Sequence, residues 1–427
     1  MNTLKVGMLG CGTDGAQIAR LLVANKTDLT SRAGAELELV KVAVRDGKAQ
    51  RDGVPNNLIT TDADSIVNDP TIDLIIEVIG GISPAKALIL TALKNGKSVV
   101  TANKALLAKD GAELFEAASK ANVDLYYEAA VAGAIPILRP LRESLVGDQV
   151  IRIMGIVNGT TNYILTKMDE SGTAFADALK QAQDLGFAEA DPTADVEGFD
   201  AADKAAILAG LAFHSRVTDK DVYREGITKI TAKDVKVAKA MDMIIKLLAI
   251  TELTSAGEIS VRVHPALISR NHPLASVRES YNAVFVEAKS AGQMMFYGRG
   301  AGGEPTASAV LGDLVAIARH KVAGGIGPKE SDYASLKIAP IGQTKTRYLI
   351  RLNVTDKPGV LESVAHVFAS HSVSIQTVRQ TGAGDKAELI IMTHSSTESA
   401  LSATVKELSN LSAVTDVASV LRVEGAI

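Results

Sequence analysis

The chain has 427 residues, of which 47% are apolar, 22% charged and 4% aromatic, and 45 basic against 49 acidic side chains leave a net charge of −4. That length suits roughly two to four domains, and mild acidity argues against a nucleic-acid partner, whose binding surface is normally a basic stripe. A single cysteine excludes an internal disulfide and a cysteine-based zinc finger, and no uncharged apolar run approaches the roughly 18–20 residues that span a membrane.

The opening residues enter a strand pattern at once, so no secretory leader is expected and a cytoplasmic, reduced setting is. Over residues 1–130, short β-branched runs alternate with Ala/Leu-rich stretches. Strands are expected at 4–9, 37–44, 74–79 and 98–101, with helices at 16–25 and 85–95, which predicts a parallel sheet covered on both faces. The pattern then changes. A strand at 149–157 precedes helices at 163–170, 174–185 and 199–213, and strands return at 259–263, 283–288 and 294–297, as in an α+β domain. A glycine cluster at 298–303 leads into a helix at 306–320, and residues 321–345, rich in Gly, Pro, Lys and Ser, read as a linker. The tail orders as strand 348–354, helix 359–369, strands 373–380 and 388–393 around Gly382-Ala383-Gly384-Asp385, helix 399–408 and strand 414–423. This βαββαβ order is the split ferredoxin-like arrangement.

Gly10-Cys11-Gly12-Thr13-Asp14-Gly15 follows the first strand directly and fits the dinucleotide fingerprint. Gly10 makes the tight turn, Gly12 admits the pyrophosphate, Gly15 allows close helix packing, and the helix start with Thr13 offers amides. An ordinary βα turn is the alternative. Asp14 is expected to turn away from the phosphates and cap the helix. The second strand ends in Val44-Arg45-Asp46-Gly47-Lys48, where Arg45 and Lys48 favour NADP and Asp46 keeps NAD open. Cys11, inside the phosphate loop, is badly placed to attack a substrate carbonyl. Thr101-Ala102-Asn103-Lys104 sits at the carboxyl edge of the sheet, and Lys104 either faces substrate and nicotinamide or stands in solvent behind an Asn103 cap.

The stretch Glu189-Ala190-Asp191-Pro192-Thr193-Ala194-Asp195-Val196-Glu197-Gly198-Phe199-Asp200-Ala201-Ala202-Asp203-Lys204 packs acids and one lysine ahead of an apolar helix. At 100° per residue, Asp200, Lys204, Ile207, Leu208 and Leu211 share a face. Lys204 therefore lies on an apolar stripe and needs a partner, for which Asp200 is one turn away. Burial tunes a lysine for proton transfer. Glu189 and Asp195 suit the ammonium group of an amino-acid substrate; a solvated acidic helix start is the alternative. Glu128-Ala129-Ala130-Val131-Ala132-Gly133-Ala134-Ile135-Pro136 reads either as a packed turn or as a cage of hard oxygens for a monovalent cation. The histidines show no metal-ligand spacing.

Together these segments resemble the homoserine dehydrogenases, with Gly155–Leu165 and Gly186–Lys204 the most specific blocks. The resemblance implies NAD(P)-dependent interconversion of L-homoserine and L-aspartate 4-semialdehyde, in threonine, methionine and isoleucine biosynthesis. It implies Lys204 as the acid/base residue, Glu189 as a substrate ligand, Asp195 and Asp200 in support, and Lys104 at the substrate–nicotinamide junction. The resemblance further implies that Gly302 and Gly303 return to the cofactor and that a monovalent cation, sodium, is held by Glu128 and the carbonyls of Val131, Gly133 and Ile135. The implied organisation is a Rossmann-type dinucleotide-binding domain (1–135 plus about 300–325) and an α+β catalytic and dimerisation domain (136–299). A linker (326–345) and a C-terminal ferredoxin-like ACT regulatory domain (346–427) follow. Asp356-Lys357-Pro358-Gly359-Val360-Leu361 resembles the ACT ligand loop, so Asp356 and Gly359 are expected to meet a small amino acid, with threonine as inhibitor. A homodimer or homotetramer is expected. Two other readings stay open: a non-enzymatic dinucleotide or amino-acid sensor, and another NAD(P)-dependent amino-acid dehydrogenase.

Overall fold

A computed structural model describes residues 2–48, 51, 53–382 and 387–425. The first lobe runs β1 (Thr3–Leu9), α1 (Thr13–Ala24), α2 (Lys26–Ala33), β2 (Glu36–Ala43), β3 (Ile59–Thr60), α3 (Asp64–Val67), β4 (Leu74–Glu77), α4 (Ala85–Lys94), β5 (Ser98–Thr101), α5 (Lys104–Ala121) and β6 (Leu125–Tyr126). Its strands form one parallel sheet in the order β3-β2-β1-β4-β5-β6. β4 and β5 are buried at every position, as strands covered on both faces must be. Strand order reverses between β1 and β4, the place where open α/β sheets bind ligands beyond the carboxyl ends of their strands.

The second lobe runs β7 (Val150–Ile156), α6 (Gly159–Ser171), α7 (Phe175–Asp184), α8 (Thr193–Val196), α9 (Phe199–Ala212), β8 (Tyr223–Arg224), α10 (Ala232–Ala240), β9 (Met243–Leu253), β10 (Ile259–Ser269), β11 (Tyr281–Ala288) and β12 (Gly292–Arg299). The chain then re-enters the first lobe as α11 (Gly303–Val322), whose Ala307, Val310 and Leu314 share one core with Val6, Met8 and Ile18. β9 falls in a stretch where no strand is expected, and β10 runs well past the expected 259–263. The sequence of β9, Met-Ile-Ile-Lys-Leu-Leu-Ala-Ile-Thr-Glu-Leu, lacks the alternation of a half-exposed strand, because apolar cores cover it on both sides. Its lysine, Lys246, is buried against Asn162 Oδ1 at 2.9 Å and the Val277 carbonyl at 2.5 Å.

The tail runs β13 (Lys345–Val354), α12 (Val360–Ser370), β14 (Ile375–Thr381), β15 (Ala387–Thr393), β16 (Ser396–Thr397), α13 (Glu398–Leu408) and β17 (Val414–Val423). Apart from the short β16, this is the expected βαββαβ order; Ala383, Gly384 and Asp385 of the expected turn lie outside the described residues. The tail is not a separate sheet. β17 lies parallel to β10 through Ala266↔Arg422 and Leu267↔Val423, which continues the second-lobe sheet as β12-β11-β7-β9-β10-β17-β13-β15-β14.

The stretch expected as a linker packs as a strap. Across the pair Ile259↔Ile338, the Ile259 amide donates to the Lys337 carbonyl at 2.8 Å and the Ile259 carbonyl accepts the Ala339 amide at 2.7 Å, and the Ala334 amide donates to the His214 carbonyl at 3.0 Å. Glu330 accepts from the buried Tyr127 hydroxyl at 2.6 Å and from Arg142 at 2.8 Å. A Gly- and Pro-rich composition signals irregular backbone, and tertiary contacts decide whether that backbone moves.

A buried ion cluster ties tail to second lobe. Arg262, 1% exposed, lies between Glu252 at 2.7 Å and Glu424 at 3.1 Å, and Arg152 reaches Glu424 at 2.6 Å. Burial alone raises the Glu424 carboxyl, but Arg262 and Arg152 outweigh it and bring it from 4.5 down to about 2. A carboxyl held below its unfolded value contributes stability that is complete above that value and is lost as the pH falls through the folded one. Glu424→Gln is therefore expected to cost about 3 kcal/mol at pH 7. The parent should lose more of its stability than the variant between pH 4.5 and 2, read from denaturant midpoints across that range.

Candidate active site

At the end of β1, Gly10 has φ +99°, and a Cβ there would lie 2.7 Å from the Val78 carbonyl oxygen. A Cβ on Gly15 would lie 2.6 Å from the Gly10 carbonyl oxygen. These contacts draw strand, turn and α1 together, while Gly12 faces open space at the helix start, where no side chain caps the amides. The amides from Thr13 onward are thus available to an anion. Gly302 and Gly303 open α11 beside this loop, and a Cβ on Gly303 would meet Gln17 at 2.9 Å and Thr13 at 3.3 Å. Burial raises the Cys11 thiol, with Arg51 opposing, so the thiol is poorly suited to nucleophilic attack.

Asp14 does not cap the helix. Helix α1 starts one residue earlier than it, and its half-buried side chain faces Lys104 and Thr306. Arg45 and Lys48 are exposed at the end of β2. The cation that reaches the loop itself is Arg51, which donates Nε to the Cys11 carbonyl at 3.2 Å and Nη1 to the Asp46 carbonyl at 2.9 Å. Nothing local in the sequence distinguishes Arg51 from a solvated charge, so the pattern at 44–48 points only to Arg45 and Lys48.

Glu77, fully buried at the end of β4, was also missed; a carboxylate closing an apolar strand is its signal. It accepts from the amides of Ile79 and Gly80 and from the Thr101 hydroxyl, the last at 2.6 Å. Thr101 in turn receives the Asn103 amide, and Asn103 caps α5 by accepting from Leu106 N while donating to the Gly81 carbonyl at 2.6 Å. The cap predicted as the bland alternative therefore exists, and it aims the next residue. Lys104 Nζ reaches Asp200 Oδ1 of the second lobe at 2.9 Å.

Asp200 is the shared centre. Its Oδ2 receives Lys204 Nζ at 2.7 Å and Asn158 Nδ2 at 2.9 Å. Lys204, buried on α9, also donates to the Val157 carbonyl at 2.6 Å. Asn158 Nδ2 donates again to Asp195 Oδ1 at 2.6 Å, and Thr160 Oγ1 donates to Asp195 Oδ2 at 2.9 Å. Asn158 and Thr160 belong to the specific block at 155–165 but carried no predicted role. Each is placed by chain turning from β7 into α6, where Asn158 caps the helix by accepting from Thr161 N.

Burial would raise the Asp200 carboxyl, yet Lys204 and Lys104 outweigh it and hold it well below the usual carboxylate range. Burial lowers Lys204, Asp200 opposes, and Lys104 adds to the lowering. Asp200 raises Lys104 against burial. Asp203 is pushed up to about 6, first by burial and then by Asp200 and Asp219. The site thus pairs a lysine whose proton affinity is lowered with one whose proton affinity is raised, a combination suited to moving a proton at one atom while stabilising charge beside it.

Glu189 is not drawn into this group: it is exposed, and its carboxylate has no hydrogen bond or ion pair among the described residues. Glu128 is buried near the first lobe's edge. Its Oε1 accepts the amides of Ile137 and Leu138 at 2.6 and 2.8 Å, and Oε2 that of Arg139 at 2.9 Å. One lone-pair direction on Oε2 stays open. Ala132 and Gly133 have positive φ, and no described hydrogen bond ends on the carbonyls of Val131, Gly133 or Ile135, so this hard-oxygen set fits a monovalent cation.

Family models for the homoserine dehydrogenase NAD-binding domain, for homoserine dehydrogenase and for the ACT domain match residues 10–128, 136–315 and 348–413. The chain is 54% identical to a homoserine dehydrogenase of Mycobacterium tuberculosis over 98% of its own length and 97% of the relative's. A crystal structure of a homoserine dehydrogenase from Thiobacillus denitrificans superposes with a TM-score of 0.94 at 40% identity, covering 99% of each chain. A hyperthermophilic archaeal homoserine dehydrogenase solved in complex with NADPH aligns at 28% identity and TM-score 0.63, over 74% of this chain and 97% of its own. With the paired lysines at the mouth of a dinucleotide loop, these likenesses place the chain in the homoserine dehydrogenase family, as an NAD(P)-dependent oxidoreductase with a C-terminal ACT domain.

Proposed function

We propose that the chain interconverts L-homoserine and L-aspartate 4-semialdehyde with NADP preferred, and that threonine inhibits it through the ACT domain. The observation that carries the chemistry is the run Lys104–Asp200–Lys204 at the crevice. The nicotinamide, when bound, supplies the carbon that accepts or returns the hydride of homoserine C4. Lys204 takes the hydroxyl proton in oxidation and returns it in reduction; its burial favours the neutral form that a base needs. Lys104, held cationic by Asp200, stabilises negative charge building on the same oxygen. Asp195 and, from the exposed loop, Glu189 would take the substrate ammonium. Arg45 and Lys48 after β2, with Arg51 on the Cys11 carbonyl, would supply beside the ribose the charge a 2′-phosphate requires. Glu128 with the carbonyls of Val131, Gly133 and Ile135 would hold sodium, which ties the turn after β6 together.

In the tail, Asp356, Lys357, Gly359 and Gln380 border a cavity of about 300 Å³, and Gln380 Nε2 holds Asp356 Oδ1 at 3.0 Å. Gly359 has φ +88° at the start of α12, and a Cβ there would meet open space, which leaves the backbone open to a small amino acid. Edge strand β12, with Met295 and Tyr297 exposed, supports pairing into a dimer or tetramer. No described helix is long and apolar enough to cross a membrane, and Cys11 is free; a cytoplasmic location belongs to the same proposal.

Lys204→Ala should lower turnover roughly a thousandfold with cofactor affinity nearly unchanged, measured by nicotinamide absorbance and by cofactor titration. Near-parental turnover refutes the role. In homoserine oxidation the rate rises with pH as Lys204 loses its proton. Asp200→Asn removes the partner that keeps Lys204 protonated, so the rising limb should move to lower pH by about one pH unit, alongside a fall in turnover. An unmoved limb refutes the coupling. Threonine should inhibit the parent, and Asp356→Ala should raise the half-inhibiting concentration about tenfold while sparing uninhibited turnover.

A further inference from the structure

One guanidinium joins the tail to the segment that packs against the acid stretch of the site. Arg422 of β17, 7% exposed, donates Nη1 and Nη2 to Oε2 and Oε1 of Glu225 at 2.8 and 3.0 Å. It donates Nε and Nη2 to Oε2 and Oε1 of Glu398 at 3.2 and 2.5 Å, and Nη2 also reaches the Tyr223 hydroxyl at 3.1 Å. Glu398 opens α13 of the tail, whereas Tyr223 and Glu225 belong to the second lobe. The planar fork of an arginine satisfies two carboxylates at fixed angles, which a lysine cannot do.

The contacts continue from there into the acid segment. Arg224 donates to the Glu197 carbonyl, and its guanidinium carbon lies 3.4 Å from the Phe199 ring centroid. The Ile227 amide donates to the Val196 carbonyl at 2.8 Å, and Thr228 Oγ1 to Glu197 Oε1 at 2.9 Å. Gly226 presses so close that a Cβ would fall 2.4 Å from the Val196 carbonyl oxygen. Val196 and Glu197 directly follow Asp195, and Gly198 caps the helix that carries Asp200 and Lys204. β8 itself is two residues long, paired to β10 only through Arg262↔Tyr223 and Val263↔Arg224. A segment that short takes its position from what grips its ends.

We propose that Arg422 is a positioning residue: by gripping Glu225 it sets how residues 223–228 press on 196–199, so the tail adjusts the reach of Asp195 and Asp200 at the substrate. The inference rests on the roles given above to Asp195, Asp200 and Lys204. It is tested in the full-length chain with Arg422→Lys, Glu225→Gln and the double variant, following homoserine-dependent NADP reduction. Each single change should lower kcat/KM for homoserine about tenfold and leave KM for NADP within about twofold. The double variant should be no worse than the poorer single, since both cut the same tie. Tyr223→Phe, which removes one hydroxyl, should show a smaller fall in the same direction and keeps the test open if the ion-pair variants fold poorly. Homoserine kcat/KM within about twofold of the parent in Arg422→Lys and Tyr223→Phe, parallel losses for both substrates, or additive effects overturn the proposal. Lys204→Ala run alongside separates two failures: an inactive Lys204→Ala with an unaffected Arg422→Lys overturns this inference alone, whereas an active Lys204→Ala overturns the site reading.

Discussion

Two lysines from different lobes share one carboxylate, and the geometry of the site depends on that sharing. Lys104 and Lys204 are like charges that would repel in a crevice of low polarity. Asp200 stands between them, one oxygen for each, at 2.9 and 2.7 Å. A buried carboxylate so placed must be fully engaged, since an unpaired charge in that position costs several kcal/mol. Asn158 completes the set and extends it to Asp195. The first lobe answers the same demand: Glu77 orders the loop after β4, that loop holds Asn103, and Asn103 aims Lys104. Proton-moving lysine and charge-stabilising lysine are thus fixed with respect to each other before any substrate arrives, which is what preorganisation requires.

β10 plays the corresponding part for the lobes as a whole. Along its length it pairs with β9, β8 and β17, and at its start it meets the strap at Ile338. Linker, tail and second lobe therefore close on one strand, and the ion pairs of Arg262 and Arg422 lock the closure from its sides. The tail is in this way an extension of the enzyme's own sheet, reached through only two residue pairs. A junction of that kind is strong in its side chains and sparse in its ladder, so its state depends on charge more than on backbone pairing.

Much of this was legible in the residues alone. The parallel sheet, the glycine loop and the tail's βαββαβ order follow from patterns only a few residues long. Lys204 was recognisable because it falls on an apolar helix face, and its partner because one helical turn separates it from Asp200. β9 was not legible, since a strand buried on both sides shows no alternation. Asn158 and Thr160 carried specificity without a visible task, for their partners Asp195 and Asp200 lie 35 or more residues away. Composition reads residues 326–345 as a linker and is silent on their packing, in which Glu330 is the acceptor that buried Tyr127 and Arg142 require.

By itself the sequence determined what local covalent chemistry can determine: where glycine permits a turn, where an apolar face needs covering, and which side chains hold protons worth moving. Tertiary structure alone decided which charges meet. It carried Lys104 across a lobe boundary to Asp200, turned Asp14 towards Lys104, left Glu189 outside the hydrogen-bonded group, and engaged Glu128 with three backbone amides. The division has a simple cause. Backbone preference acts over one turn or one pleat, whereas the energy of a buried charge depends on every group brought within a few ångströms, and only the folded chain chooses those groups.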